Sequence, residues 1–311
     1  MQKVIDYLKE WDNLLLLTHV RPDGDTIGSA AALCRALRDM GKTAYLLYNP
    51  EITATYEPYA APYWAEDGFV PEHIISVDVA ALSLLPENAA IYQDRIALAI
   101  DHHSSYGGFA AEAYVDPSAA AAGEIVYGII TQLTPITPAI ALPLYVAIST
   151  DCGCFVYANT TARTHRIAAA LMEQVDVSAV NKALFRTKSK VRLAMESRMA
   201  SEMELYDNDR VVVMSIPLSL REEMHATEAD IEELSSLAAL VEGTDCGITL
   251  RELKPGTVKI SVRSGPRIDA CAACRKIGGG GHRAASGATV EGTMEQAKQA
   301  ILAAVAEVAG A

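Results

Sequence analysis

Positive charge is scarce in this chain. Its 311 residues include 26 lysines and arginines against 39 aspartates and glutamates, which gives a formal net charge of −13 at pH 7. A protein that coats nucleic acid needs the opposite balance, because lysine and arginine bind the phosphate backbone. The composition therefore argues against a general nucleic-acid coat protein. Half of the residues are hydrophobic, which is ordinary for a globular chain with room for two domains.

Long uninterrupted hydrophobic runs are also lacking. The uncharged stretch 125–150 is broken by Gly128, Pro135, Pro138 and Pro143. We interpret it as two buried helices and not as a membrane span. The chain opens with a charged amphipathic segment that does not resemble a signal peptide. We therefore expect a cytoplasmic protein that does not associate with a membrane.

The cysteines do not form a recognisable metal-binding pattern. Cys152 lies two residues before Cys154, and Cys271 lies three residues before Cys274. Neither pair is accompanied by a second cluster at the spacing of a zinc finger. A zinc site or a redox pair is the alternative, but structural cysteines with reduced thiols are favoured in a cytoplasmic protein.

Short apolar runs alternate with helical segments in the first part of the chain, which is typical of an α/β fold with a parallel sheet covered on both faces. The predicted strands lie near 13–18, 43–47, 73–77 and 96–100, and the predicted helices near 26–40, 119–133, 138–150, 162–174 and 178–186. We predict a Rossmann-like catalytic domain over 1–186. A connecting helix over 187–206 would let a cleft open and close.

A smaller α/β domain is predicted over 207–311. Its strands are expected at 210–216, 245–252, 257–263 and 286–291, and its helices at 227–240, at 267–277 and from Thr293 onward. The sequence Lys254-Pro255-Gly256 between two alternating runs indicates a hairpin.

Several apolar segments of the first domain end in carboxylate or imidazole side chains. The candidate ligands are His19, Asp23, Asp25, Asp78, His102 and Asp151. The carboxyl ends of parallel strands meet at one edge of a sheet, so we expect these side chains to converge. This set suits two hard divalent ions, with Mn²⁺ preferred and Mg²⁺ or Co²⁺ as alternatives. Such a pair activates a shared water and clamps a phosphoryl group.

Each of these residues also has a simpler interpretation. Asp25 and Asp78 equally suit the N-cap of a helix. His19 suits a buried position with its hydrogen bonds satisfied, and Asp101 suits a supporting role in which it orients His102. Six such positions at the ends of strands and helices nevertheless favour a metal site.

A second candidate site lies in the smaller domain. Four consecutive glycines at 278–281 precede His282, and their backbone N–H groups can face an anion at close range. Ser261 and Arg263 lie two residues apart on a predicted strand and therefore share a face, where the arginine can bind phosphate. The segment 251–283 has eight basic and two acidic residues, a net charge of +6. A flexible linker is the alternative for the glycines, and a solvated charged face is the alternative for the basic segment.

Five motifs follow one another along nearly the whole chain. They are His19-x-x-x-Asp23-Gly-Asp25, Val77-Asp78, Asp101-His102-His103, Ser149-Thr150-Asp151-x-Gly153 and four glycines before His282. Together they resemble the DHH phosphoesterases that carry an associated C-terminal substrate-binding domain. The length is similar to that of the short members of the nano-RNase and 3′-phosphoadenosine 5′-phosphate phosphatase group. The exonuclease members are longer.

The resemblance implies two ions that share Asp78 as a bridging ligand. The first set of ligands is His19, Asp23 and Asp78, and the second is Asp25, Asp78, His102 and Asp151. The implied catalytic residues are His103, in contact with the scissile phosphate or the leaving oxygen, and Asp101 behind it. The implied substrate-binding residues are Ser261, Arg263, Gly279, Gly280, Gly281 and His282.

The predicted function is metal-dependent hydrolysis of short oligonucleotides, of 3′-phosphoadenosine 5′-phosphate, or of both. A cyclic-dinucleotide phosphodiesterase would use the same site residues and is the enzymatic alternative. A nucleotide sensor without activity is the alternative of another class, but it would leave the complete ligand set unexplained. The expected partner is a short phosphorylated substrate and no long duplex, and the resemblance allows a homodimer.

Overall fold

The apolar runs in the first part of the chain form a parallel sheet, as predicted. The structure is a computed structural model that describes residues 1–310, in two units that divide between Thr187 and Lys188. The strands of the first unit are β1 Leu14–Leu17, β2 Ala44–Leu46, β3 His73–Val77, β4 Ile96–Asp101 and β5 Glu112–Val115. Their order is β2-β1-β3-β4-β5, and all pairs are parallel. The prediction missed only β5, whose partly exposed residues give no apolar run.

Helices cover one face of this sheet. They are α1 Gln2–Glu10, α2 Gly24–Asp39, α3 Glu57–Ala60, α4 Ala122–Ile130, α5 Pro138–Asp151, α6 Ala162–Met172 and α7 Val177–Asn181. Leu14 and Leu16 of β1 point into the core beneath the helices, whereas Leu15 and Leu17 join a smaller cluster on the opposite face. That face is covered partly by the 3-10 segment Glu87–Arg95. Burial on both faces explains why β1 is apolar at every position.

The uncharged stretch 125–150 falls within two buried helices and the loop that joins them, as predicted. Pro138 occupies the start of α5, where the missing N–H of proline costs nothing. No helix within residues 1–310 is both long enough and apolar enough to cross a membrane.

The second unit contains a six-stranded mixed sheet. Its strands are β6 Glu204–Tyr206, β7 Val211–Ile216, β8 Cys246–Lys254, β9 Thr257–Ser264, β10 Gly280–Gly281 and β11 Ala285–Glu291, in the order β10-β11-β9-β8-β7-β6. Its helices are α8 Lys190–Ser201, α9 Leu218–Glu223, α10 Glu228–Ile231, α11 Ala270–Arg275 and α12 Met294–Ala309. The predicted hairpin is confirmed, because β8 and β9 pair antiparallel and Gly256 has a φ of +80° in the turn.

The second unit differs from the prediction in strands β6 and β10, which were not predicted, and in two predicted helices. The segment 187–206 is not one helix, because α8 ends at Ser201 and β6 follows it. Met195 of α8 is buried in the core of the second unit, and the hinge role of this segment stays a prediction. The predicted helix over 227–240 is only the short α10 followed by a 3-10 segment, Glu232–Leu240. This segment lies directly on β8, since a Cβ at Gly247 would be 2.3 Å from the backbone nitrogen of Ala239.

Candidate functional site

The six predicted metal ligands come together at the carboxyl edge of the parallel sheet. Those that follow strands are His19, Asp78 and His102, and those at the ends of α2 and α5 are Asp23, Asp25 and Asp151. They form two groups in which the ligand atoms all lie within 4.8 Å of one another. The groups are His19 with Asp23 and Asp78, and Asp25 with His102 and Asp151.

Asp78 belongs to the first group and also faces His102 of the second. Its Oδ2 is 3.8 Å from Nε2 of His19, and its Oδ1 is 3.5 Å from Nε2 of His102. The residue is 3% exposed, and its Oδ1 makes no hydrogen bond within the described part of the chain. A buried carboxylate oxygen without a partner is costly, so its environment fits a position between two cations.

Both imidazoles are oriented for metal binding. Nδ1 of His19 lies 2.9 Å from the carbonyl oxygen of Val20, and Nδ1 of His102 lies 3.2 Å from that of Ala119. A carbonyl can only accept a hydrogen bond, so each Nδ1 carries a proton, and in the neutral imidazole each Nε2 keeps a lone pair for a metal ion. Metal-binding histidines are commonly held in this way, and the two Nε2 atoms are the ones that face the carboxylates.

The carboxylates at the start of α2 have different roles. Asp23 is the N-cap, and its Oδ1 accepts hydrogen bonds from the backbone of Asp25 and of Thr26. The N-cap alternative for Asp25 was therefore wrong. Asp25 is buried and accepts hydrogen bonds from the N–H groups of Ala122 (2.6 Å) and Gly123 (2.9 Å). These backbone donors could not be predicted from the sequence, because an apolar run of alanines gives no chemical signal.

The N-cap alternative for Asp78 was also wrong. No helix begins at this residue, and the next element is the 3-10 turn Leu82–Leu84. Asp78 instead has a φ of +58°, which aspartate adopts more readily than most residues. Its backbone N–H donates to the carbonyl of Ile100, at 2.8 Å. The turn after β3 therefore holds the carboxylate at the sheet edge.

Three carboxylates of the cluster, Asp25, Asp78 and Asp151, are unfavourable when they are charged. Burial, together with repulsion from Asp151, raises the pKa of Asp25 to about 7. Burial and repulsion from Asp23 raise the pKa of Asp151 to about 7 as well. Burial and the charge of Asp25 hold the pKa of Asp78 well above its usual range. Divalent cations would relieve this repulsion, so the electrostatics of the site fit metal ions.

Asp101 orients His103 and not the ring of His102. Its Oδ1 accepts a hydrogen bond from Nδ1 of His103 (2.8 Å) and from the backbone N–H groups of His102 and His103. The expectation for His102 was wrong because the Nδ1 of that ring faces the carbonyl of Ala119. The hydrogen bond to Asp101 raises the pKa of His103. Although His103 also lies near Asp78 and His102, its Nδ1 is engaged by Asp101.

Three of the predicted substrate-binding residues of the second unit, Ser261, Arg263 and Gly280, share one face of its sheet. Ser261 pairs with Gly287 of β11, and Gly287 pairs in turn with Gly280 of β10. Arg263 pairs with Ala285 in the next row on the same face. Paired residues of neighbouring strands point to the same side, so this face combines a hydroxyl, a guanidinium and glycines.

The glycine-rich segment is an ordered hairpin, so the flexible-linker alternative was wrong. A Cβ at Gly279 would lie 2.3 Å from the carbonyl oxygen of Gly287, and Gly281 has a φ of +139°. These two positions require glycine for the fold. A Cβ at Gly280 would meet no atom within 4 Å, so the backbone there is open to a ligand. His282 lies in the exposed turn, where its N–H donates to the carbonyl of Ala285.

The chain matches two domain families in order. Residues 13–148 match the DHH family, N-terminal domain, and residues 208–311 match the DHHA1 domain. The chain is 33% identical over 314 residues to the bifunctional oligoribonuclease and PAP phosphatase NrnA of Thermus thermophilus. That alignment covers 99% of this chain and 94% of the relative.

Solved structures show the same fold. An exopolyphosphatase-related protein from Bacteroides fragilis has a TM-score of 0.90 at 23% identity, over 100% of this chain and 97% of its own. RecJ from Thermus thermophilus in complex with Mn²⁺ has a TM-score of 0.55 at 14% identity, over 99% of this chain and 54% of its own. Because the two domain matches and the nearly full-length relative agree, the chain belongs to the DHH family of phosphoesterases, in the form that carries a DHHA1 domain.

Proposed function

We propose that this chain is a metal-dependent phosphoesterase that cleaves very short oligoribonucleotides and removes a phosphate from 3′-phosphoadenosine 5′-phosphate (PAP). The observation that carries this proposal is the pair of carboxylate–imidazole groups joined by Asp78. The name of the Thermus thermophilus relative gives both activities for that protein.

The two groups would hold two divalent ions. The ligands would be His19, Asp23 and Asp78 for one ion, and Asp25, Asp78, His102 and Asp151 for the other. When bound, such ions lower the pKa of a water molecule and neutralise the charge of the phosphoryl oxygens. Oxygen and imidazole ligands without thiolate suit Mn²⁺, Mg²⁺ or Co²⁺, and we propose Mn²⁺, which the RecJ structure of the same fold contains.

His103 would bind the phosphate under attack. Asp101 engages its Nδ1, and the ring is about one-third exposed. Its Nε2 is then left to donate, in the protonated form, to a phosphoryl oxygen or to the leaving oxygen. Asp101 fixes the orientation of the ring and stabilises its positive charge.

The second unit would bind the remainder of the substrate. Arg263 can hold a phosphate through two parallel hydrogen bonds, with Ser261 and the open backbone at Gly280 on the same face. The net charge of +6 over 251–283 suits a ligand with a few phosphates, whereas a long duplex requires a broader positive surface. The limits of the catalytic and substrate-binding domains, the homodimer and the cytoplasmic location stay predictions.

A hydrolysis panel tests the proposal. A linear diribonucleotide, a long RNA strand, a cyclic dinucleotide and PAP are compared at equal concentration with Mn²⁺, after chelation, and after Mn²⁺ is restored. We expect metal-dependent cleavage with preference for the linear dinucleotide and PAP. Asp94→Ala is the control, because Asp94 is exposed and precedes the amino end of β4, opposite the ligands.

Two results would contradict the proposal. Faster cleavage of the cyclic compound would assign the same site to second-messenger hydrolysis. Absence of metal-dependent hydrolysis with all four compounds would remove the enzymatic assignment and leave the nucleotide sensor.

A further inference from the structure

A buried glutamate behind the metal centre has no role in the proposed reaction. Glu124, in the first turn of α4, is 0% exposed. Its Oε1 accepts a hydrogen bond from Oγ1 of Thr164 (2.5 Å), and its Oε2 lies 3.2 Å from Nε of Arg163. The contact with Arg163 is an ion pair, and Arg163 donates a hydrogen bond from Nη1 to Asp116, at 3.0 Å. A buried charge is retained only where it is paired and hydrogen-bonded, so this network fixes the start of α4 against α6.

The residues just before Glu124 hold two of the metal ligands through their backbone. The carbonyl of Ala119 accepts from Nδ1 of His102. The N–H groups of Ala122 and Gly123 donate to the carboxylate of Asp25. Both ligands belong to the same group, the one completed by Asp151.

The third ligand of this group is tied to the same segment. Nδ2 of Asn159 donates to the carbonyl of Ala120 (2.9 Å) and to that of Asp151 (3.0 Å). The segment 119–123 therefore contacts Asp25 and His102 directly and Asp151 through Asn159.

The other group is supported by different parts of the first unit, since Nδ2 of Asn49 donates to the carbonyl of His19 and the N–H of Asp78 donates to that of Ile100. Nδ1 of His19 faces the carbonyl of the next residue, Val20. Asp23 accepts from N–H groups at the start of its own helix, α2. Neither of these ligands has a described contact with the segment 119–123, so the two groups differ in what supports them.

We propose that Glu124, with Arg163 and Thr164, is a positioning network for one of the two metal ions, the one held by Asp25, His102 and Asp151. The network fixes the segment 119–123, which in turn fixes the donor atoms of these ligands. Loss of the network should weaken the binding of this ion. It should leave the affinity for the ion at His19 and Asp23 unchanged. The inference depends on the proposed function in one respect, that both groups bind divalent cations.

Titration of the metal-free protein with Mn²⁺ tests this inference, because free Mn²⁺ is counted directly by electron paramagnetic resonance. Glu124→Gln keeps the volume of the side chain and an acceptor for Thr164 but removes the charge that pairs with Arg163. We expect the wild type to bind two ions. The variant should bind one with unchanged affinity and one at least about tenfold more weakly.

Two further variants separate positioning from general stability. The side chain of Arg163 is 39% exposed, and Arg163→Lys should weaken the binding of the same ion. If Glu124→Gln does not fold, this variant tests the positioning role. Glu196→Gln is the matched control, since Glu196 is a half-buried glutamate of the second unit, paired with Lys188 and Arg192. It should leave both affinities unchanged. Thermal unfolding of each metal-free variant reports any loss of the fold.

The outcomes distinguish the two proposals. If Glu124→Gln binds both ions equally more weakly, or binds both as tightly as the wild type, the positioning role is wrong. The proposal of a two-metal site is then unaffected. If the wild type binds no Mn²⁺, the proposed function fails, and the positioning role fails with it.

Discussion

Asp78 is buried beside other carboxylates, and its charge is therefore unfavourable in the metal-free protein. Burial and the charge of Asp25 raise its pKa, and its Oδ1 has no hydrogen-bond donor among the described residues. The same position lets one carboxylate face both Nε2 atoms of the imidazoles. The structure thus keeps an unfavourable group where the proposed reaction needs it, as is common at functional sites.

We expect Asp78→Asn to abolish turnover and to stabilise the metal-free protein. Asparagine tolerates the positive φ of this position and removes the repelled charge. Because both ions would lose a charged ligand, cleavage of a dinucleotide should fall by on the order of a thousandfold. Activity assays and thermal unfolding in a chelator provide the two measurements. Substantial remaining activity would exclude the bridging role.

Cys152 lies beside the ligand Asp151, but we expect its thiol to be inert. The residue is 0% exposed, and burial raises its pKa to about 12. The reactive form is the thiolate, which is then about one part in ten thousand at pH 8. Cys154 is partly exposed and should be alkylated first by iodoacetamide. Mass spectrometry of the native protein will give the order, and fast modification of Cys152 would contradict a purely structural role.

The six candidate ligands could be predicted because charged side chains at the ends of apolar runs stand out in the sequence. The supporting groups could not. The carbonyl of Ala119 and the N–H group of Ala122 are identical to those of any other residue, and only the fold places them beside His102 and Asp25. The partner of Asp101 was predicted wrongly for the same reason, since ring orientation depends on these backbone contacts.

At the scale of elements, the site depends on how closely α2 approaches α5. A Cβ at Gly28 of α2 would lie 2.3 Å from the carbonyl oxygen of Pro143 in α5. A Cβ at Gly24 would lie 2.3 Å from Oγ1 of Thr150. Because the start of α2 carries Asp25 and the end of α5 carries Asp151, this approach sets the separation of two ligands.

Gly28→Ala should therefore push the two helices apart. We expect a loss of about 1–3 kcal/mol in the free energy of unfolding, because the clash is with backbone, and weaker binding of Mn²⁺. Gly128→Ala in α4 is the matched control, since the nearest atom to its Cβ would be 3.8 Å away. It should stabilise the protein by about 0.5–1 kcal/mol. Chemical denaturation measures both, and equal stability of the two variants would show that the helices adjust without cost.

The regular elements were predicted where one pattern covers a whole element. β3 spans 73–77 as predicted, and α5 differs by one residue at its end. The 3-10 segments Glu87–Arg95 and Glu232–Leu240 were not predicted as such. Their conformation depends on packing against a strand, as at Gly247, and not on a period in their own sequence.

At the scale of the whole molecule, the two units have separate sheets and separate cores. The chemistry of the proposed ligands is confined to the first unit, and the local excess of positive charge is confined to the second. Net charge alone argues against a nucleic-acid coat protein, but it conceals this division.

The carboxylate cluster also affects how stability depends on pH. In the folded, metal-free protein the pKa of Asp25 and of Asp151 is about 7, against 3.8 for an unperturbed aspartate. Between these values the folded state holds protons that the unfolded state has lost, so the free energy of unfolding falls as the pH rises. The pKa values of His19 and His103 are raised as well, and this acts in the same direction above pH 6.5.

We therefore expect the metal-free protein to be less stable at pH 8 than at pH 5. Mn²⁺ should reverse this order, because it binds the charged carboxylates of the folded state and not the unfolded chain. Thermal unfolding at the two pH values, in a chelator and in excess Mn²⁺, measures the effect. Asp78→Asn should show a smaller decrease in the chelator, because one of the mutually repelled charges is gone. Equal or greater stability of the metal-free wild type at pH 8 would mean that the cluster is not repulsive and does not need two ions to neutralise it.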